Sequence, residues 1–334
     1  MTMMKKIHVC ALGGTIAMAK AESSGAVALA GVQPVLTGSD LVNNLPSLNI
    51  AEITTSTLTK VGSPNLTFKI AENVVQQAEK ACDKGVDGFV VTQGTDTMEE
   101  MAFLLSLLWN RACPLVVTGA MRHSGQENPD GGRNLESAIR LACSDIASGV
   151  YVVMNGEIHD PLRVRKAHTS KLEAFKSDGP LVGTMKDDQL SLNTPLLCHD
   201  MSFNIKDLGS LAKVGILYPQ FDDCAWQLEA VSTMRFDGLV VAALGGGHVN
   251  EYWADILRVL ALKMPIILTS RIGEGPTLTN TYGYKGAEID LLDAGLVSGG
   301  SLPPNKARIL LKLLLASKDH SVADTFVHFS KIMA

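Results

Sequence analysis

The sequence predicts an α/β protein of two domains, a larger N-terminal parallel-sheet α/β domain and a smaller C-terminal α/β domain. Three observations carry this. Short β-branched runs alternate with longer amphipathic segments, the rhythm of a parallel sheet covered by helices. At 334 residues and 46% hydrophobic composition the chain exceeds what one core usually holds. Between Ser177 and Asp207 the rhythm fades into Gly, Pro, Asp and Asn, and it resumes afterwards. The expected division is residues 1–195, a linker over 196–211, and residues 212–334.

Taken in order, strands are expected at Lys6–Leu12, Ala51–Thr57, Gly88–Thr92, Pro114–Thr118, Val150–Met154, Val214–Tyr218, Gly238–Ala243 and Pro265–Thr269. Helices lie between most of them. Met98–Arg111 repeats apolar residues at Met98, Met101, Leu104, Leu105 and Leu108, and Arg133–Ser148 does so at Leu135, Ile139, Leu141 and Ala142. Gln189–Leu192 is a short strand-like fragment, and Pro303-Pro304 announces a helix over Asn305–Leu315.

Charge and composition narrow the function. A net charge of -5 without a dense Lys/Arg run argues against nucleic-acid and membrane-surface roles, so a small molecule is the expected partner. No window is apolar enough to span a membrane. The apolar run Ile7–Leu12 is too short for a signal-peptide core, which suggests a cytoplasmic protein. Six cysteines without a CxxC pair and eight dispersed histidines without HExxH give no sign of a metal site.

Two turns carry chemistry. Phe89-Val90-Val91 reads as a buried strand that breaks into Thr92-Gln93-Gly94-Thr95-Asp96-Thr97, where a ligand site would sit at a strand's carboxyl end. Thr97 and Glu100 also fit a capping box, and Asp96 could cap the same helix. Gly13-Gly14-Thr15-Ile16-Ala17 follows the first strand, with an echo at Ala243-Leu244-Gly245-Gly246. Neither glycine turn completes GxGxxG, and no GxxxxGK[ST] occurs. If the strands bearing the two turns are neighbours, two threonine hydroxyls and a carboxylate share one sheet edge. That combination suits attack on a carbonyl, given a base for the hydroxyl and backbone N–H donors for the oxyanion.

The segments LGGTIA (12–17) and QGTDTMEE (93–100) together resemble the two signatures of the bacterial-type L-asparaginase family (asparaginase/glutaminase). The likeness extends to Gly119-Ala120-Met121-Arg122, Asp130-Gly131-Gly132-Arg133-Asn134-Leu135, Val164-Arg165-Lys166-Ala167-His168-Thr169 and Lys306-Ala307-Arg308. The resemblance implies hydrolysis of L-asparagine to L-aspartate and ammonia without a cofactor, with L-glutamine or another small amide as alternative substrates, by a homotetramer built as a dimer of dimers. By position, Thr15 matches the attacking threonine, and Thr95, Asp96 and Lys166 match the second threonine with its aspartate and lysine partners. A desolvated lysine held against a threonine hydroxyl can take its proton, and Asp96 can orient that lysine or hold the substrate ammonium. Ser63, Gly14 and Gly94 match substrate-binding positions. His248 and Glu288 match side chains that a neighbouring protomer's second domain adds.

Departures from the family pattern bear on mechanism. Leu12 stands for the first signature's leading threonine and should alter only packing. Relatives carry a tyrosine beside the nucleophile, but Ala17–Leu36 has none, and Gly31 or Val32 takes its place. Either another residue, for example Tyr282 or Tyr284, reaches Thr15, or Thr95 and Lys166 do the activating and Thr15 plays another part. The Ala/Gly/Ser-rich composition of Ala17–Leu36 fits a lid. Pro64, where relatives carry Gln or Glu, leaves amide selectivity open. Cys82 and Cys113, which match a disulfide of secreted relatives, are expected as thiols. A non-catalytic amino-acid-binding regulator is the rival reading from outside the enzymes.

Overall fold

The computed structural model describes residues 4–20, 31–45, 50–145, 148–197, 199, 201–205, 207–317 and 319–334. The chain divides into two compact units, Met1–Leu196 and Leu197–Ala334. Within the second, a short 3-10 turn at Leu208–Ser210 precedes the first strand.

The first unit holds strands β1 (Lys5–Gly13), β2 (Met18–Lys20), β3 (Val32–Pro34), β4 (Ala51–Val61), β5 (Gly88–Thr92), β6 (Leu115–Thr118), β7 (Val150–Met154), β8 (Glu157–His159), β9 (Val164–Lys166), β10 (Phe175–Ser177), β11 (Gly183–Lys186) and β12 (Gln189–Leu192). Its helices are α1 (Gly38–Asn43), α2 (Phe68–Asp83), α3 (Met98–Leu108) and α4 (Gly131–Ala142). Eight strands form one sheet in the order β12-β11-β8-β7-β6-β5-β1-β4. From β4 to β7 all neighbours are parallel, as the alternating rhythm predicts. Beyond β7 the pairing turns antiparallel through β8, β11 and β12. Of that extension only β12 was legible, as the strand-like fragment Gln189–Leu192; β8 and β11 are three or four residues long and partly exposed, and carried no readable period.

β5, β6 and β7 are buried along their whole length. Strands covered on both faces read as unbroken apolar runs rather than alternating ones, which is why their bounds were readable. On one face Ile7, Val9, Val90 and Val116 pack with Leu135, Ala138, Ile139 and Ala142 of α4. α2 and α3 lie against the sheet as well. α4 stops at Ala142, short of the expected Ser148, with Cys143 as its C-cap.

The second unit is a four-stranded sheet, β13 (Val214–Leu217), β14 (Gly238–Ala243), β15 (Ile266–Ser270) and β16 (Val297–Ser298), parallel throughout. Its helices are α5 (Trp226–Thr233), α6 (Glu251–Ala261), α7 (Glu288–Asp293), α8 (Pro304–Ser317) and α9 (Val322–Met333). Leu228, Trp253, Leu257 and Leu291 pack against Leu239, Val241, Ile266 and Leu268 to form its core. Among the described residues, no helix is long and apolar enough to cross a membrane.

Candidate active site

β1 lies between β4 and β5, so three strands deliver their C-terminal turns side by side. The register pairs Ala11 with Thr92 on one flank and Gly13 with Val61 on the other. Gly14 N–H donates to the Val61 carbonyl at 3.0 Å. Each strand then runs into a single 3-10 turn: Thr15–Ala17, Ser63–Asn65 and Thr95–Thr97. Parallel order thereby gathers Gly14, Thr15, Ser63, Gly94, Thr95 and Asp96 at one edge, where ligands of open α/β sheets bind. Proline fits the Ser63 turn because early helical positions need no N–H donor.

Lys166, the last residue of β9, reaches this edge from outside the eight-stranded sheet. Its Nζ donates to Thr95 Oγ1 at 2.8 Å and to Asp96 Oδ1 at 2.6 Å. Thr95 is buried, and the lysine side chain is 15% exposed, whereas the Asp96 side chain is 63% exposed. The pair therefore runs from a protein-lined hydroxyl out to a solvent-facing carboxylate. A lysine so placed can exchange a proton with Thr95 while Asp96 balances its charge.

Ser63 is buried and ties two turns together. Its Oγ accepts the Asp96 N–H at 3.2 Å, and its carbonyl accepts the Thr97 hydroxyl at 3.1 Å. The second contact overturns the capping-box expectation for Thr97 and Glu100. Thr97 is the N-cap of α3 by position but makes no side-chain cap, because its hydroxyl is taken by the neighbouring turn. Asp96 likewise spends its carboxylate on Lys166 rather than on the helix.

Two residues of this edge escaped sequence reasoning. Gln93 is fully buried, with Nε2 donating to the Gly94 carbonyl at 3.2 Å and Oε1 meeting no partner among the described residues. Its signal was an amide at the end of an otherwise apolar strand. Glu99 accepts the main-chain N–H of Lys166. Nothing local distinguishes it from any acidic residue in a helix's first turn.

His248 and Glu288 come together in the second unit. His248 follows the glycine turn after β14, and its Nε2 lies 3.0 Å from Glu288 Oε2. Glu288 is fully buried, and its other oxygen accepts the N–H groups of Thr281 and Tyr282, both at 2.7 Å. Burial alone would raise this carboxyl's pKa. The N–H donors of Tyr282, Thr281 and Glu288 itself, with His248, outweigh it and hold the group below its ordinary value. Tyr282 and Tyr284 set ring edges against His248, at centroid distances of 5.2 and 5.7 Å. Half of the expected lid, residues 21–30 of Ala17–Leu36, lies outside the described residues. Its stem is the antiparallel pair of β2 and β3. Among the described residues no group of three or more His, Cys, Asp or Glu is placed to hold a metal.

Residues 6–197 match the family described as asparaginase, N-terminal, and residues 213–325 match the glutaminase/asparaginase C-terminal domain. The chain is 34% identical to L-asparaginase 2 of Escherichia coli, covering 92% of this chain and 88% of that protein. It is 32% identical to a probable periplasmic L-asparaginase of Haemophilus influenzae, over 96% and 91% of the two chains. It is also 31% identical to one component of the glutamyl-tRNA(Gln) amidotransferase of Methanosarcina mazei, over 94% and 75%. The crystal structure of a probable cytoplasmic L-asparaginase from Campylobacter jejuni superposes with a TM-score of 0.85 at 28% identity, over 98% and 99% of the two chains. With both halves matched in order, the chain belongs to the asparaginase family, hydrolases of amide C–N bonds.

Proposed function

We propose that this protein hydrolyses L-asparagine to L-aspartate and ammonia by double displacement, with L-glutamine as the alternative substrate. The observation that carries the reading is Lys166 Nζ on both Thr95 Oγ1 and Asp96 Oδ1, at the edge where Thr15 also lies. A threonine hydroxyl, Thr15 or Thr95, attacks the amide carbon, and its proton passes through the Lys166 amine to the departing nitrogen. The C–N bond breaks and ammonia leaves an ester on the threonine. Water then adds to that ester, releasing aspartate and restoring the hydroxyl. Ser63 and the backbone at Gly14 and Gly94 hold the substrate carboxylate, and Asp96 holds its ammonium.

Self-association belongs to the same reading. Tyr218, Phe221, Trp226 and Ile272 are exposed in the second unit, with Phe221 97% exposed. Exposed aromatic and aliphatic groups of this kind favour burial against another copy, in support of a homotetramer whose His248 and Glu288 complete a neighbour's site. The cytoplasmic reading has the Campylobacter jejuni protein in its favour and the periplasmic relative against it.

The test is ammonia release from L-asparagine, L-glutamine and D-asparagine, followed by Thr15→Ala and Thr95→Ala. Each variant should lose about 10²–10⁴-fold in kcat. Wild-type rates in both would reject the site, and tight aspartate binding without ammonia would select the regulator. The likeness to the amidotransferase component supports a second reading, an ammonia-producing part of a larger enzyme. Asparagine turnover by the chain alone would dismiss it.

A further inference from the structure

We infer that Glu99 is a positioning residue that sets the Lys166 amine on Thr95, an inference that rests on the reading of Lys166 above. β9 is three residues long and pairs with β10 in a two-stranded hairpin, apart from the sheet that carries Thr15, Ser63 and Thr95. That sheet therefore does not by itself fix Lys166 relative to Thr95. The Lys166 main-chain N–H is donated to Oε2 of Glu99 rather than to β10. Glu99 is the second residue of α3, four residues after Thr95 on one continuous turn-to-helix segment.

One segment thus grips Lys166 at both ends. Thr95 and Asp96 take its Nζ, at 2.8 and 2.6 Å, and Glu99 takes its main-chain nitrogen. A lysine side chain has several rotatable bonds and gives up much rotamer freedom when ordered. Holding both ends leaves few conformers that put the amine on the threonine. Asp96 alone does not secure that alignment, because its exposed carboxylate can follow the amine as the backbone drifts. A displacement of about 1 Å at a reacting group costs on the order of 10²-fold in rate. The carboxylate of Glu99 serves here as the carbonyl of an absent partner strand would, capturing an edge N–H that otherwise goes to water.

The experiment compares Glu99→Ala, Glu99→Gln, Lys166→Met and the double variant Glu99→Ala/Lys166→Met in asparagine hydrolysis, with hydrogen exchange at the Lys166 amide. Glu99→Ala should lower kcat about 10–100-fold, move KM less than about threefold, and speed exchange at Lys166. Glu99→Gln keeps an acceptor oxygen and should stay within about threefold of wild type in kcat. On the Lys166→Met background, Glu99→Ala should cost nothing more, as expected when one residue acts through the other. Equal damage from Gln and Ala, a loss that persists without Lys166, or unchanged exchange at Lys166 would each overturn the proposal. If Lys166→Met loses activity while Glu99→Ala keeps the wild-type kcat, only this proposal fails. A wild-type rate in Lys166→Met removes the reading of the lysine itself.

Discussion

Gly14 and Gly94 meet backbone to backbone: a Cβ on Gly14 would lie 2.0 Å from the Gly94 nitrogen and 2.2 Å from its Cα. Gly94 in turn leaves no room beside Ser63, whose Cβ would stand 2.9 Å from an added methyl. Gly14 also has φ +76° and ψ -174°, a conformation that L side chains avoid. Backbone strain and backbone collision therefore coincide at one residue. Gly14→Ala should destabilise the first unit by about 3 kcal/mol or more and abolish ammonia release. Thermal unfolding and the amide assay check both halves of this prediction.

Ser63→Ala removes the acceptor of the Asp96 N–H but keeps the carbonyl that binds Thr97. The fold should survive, since an amide that loses its partner at a half-open site costs about 1–2 kcal/mol. Substrate binding should suffer more than turnover, with KM rising about tenfold. Steady-state kinetics with asparagine would show a KM effect, and a pure kcat effect would instead make Ser63 part of the Asp96–Lys166 alignment.

Glu288 predicts a signed pH dependence. Its folded pKa is depressed, so the unfolded chain binds the proton first as pH falls. Its stabilising contribution is present above the ordinary glutamate pKa and is lost as pH falls through the lowered folded value. Glu288→Gln should lower Tm by about 5 °C at pH 7, and the gap to wild type should close below about pH 4. Melting curves of both proteins across that range are the measurement.

Cys82 and Cys113 stand as free thiols, and the Cys113 thiol donates to the Pro114 carbonyl at 3.8 Å. The neighbouring Cys113 thiol pulls the Cys82 pKa down, and Cys82 together with burial pushes Cys113 up. Thiolate is the reactive form, so alkylation near pH 8 should modify Cys82 well before Cys113. Mass spectrometry of the two peptides after brief treatment with iodoacetamide gives the order.

How much of this was legible depends on the range of the interaction that decides each feature. The strand Gly88–Thr92 was readable to the residue because a strand buried on both faces is a continuous apolar run. Helix Met98–Leu108 was readable in its start and overrun at its end, where the apolar spacing continued past the point at which Trp109 turns extended. Of the antiparallel strands beyond β7, Gln189–Leu192 was readable as a fragment, while β8 and β11 escaped, since short, partly exposed strands carry little periodicity. The helix cap at Thr97 was misread for a different reason. A threonine at an N-cap position predicts a local hydrogen bond, but the Ser63 carbonyl, 34 residues away in sequence, competes for the same hydroxyl and wins.

The order of residues alone sets glycine-hydroxyl turns after buried strands and supplies threonines, an aspartate and a lysine of the right kinds. Those facts are local, written in apolar runs and in the residues that break them. Tertiary structure decided that β1 lies between β4 and β5, so that three turns meet at one edge. It also decided that Lys166, on a strand outside that sheet, is held at both ends by the segment from Thr95 to Glu99. Strand order and cross-element hydrogen bonds join residues tens of positions apart, and no spacing rule within a single element encodes them.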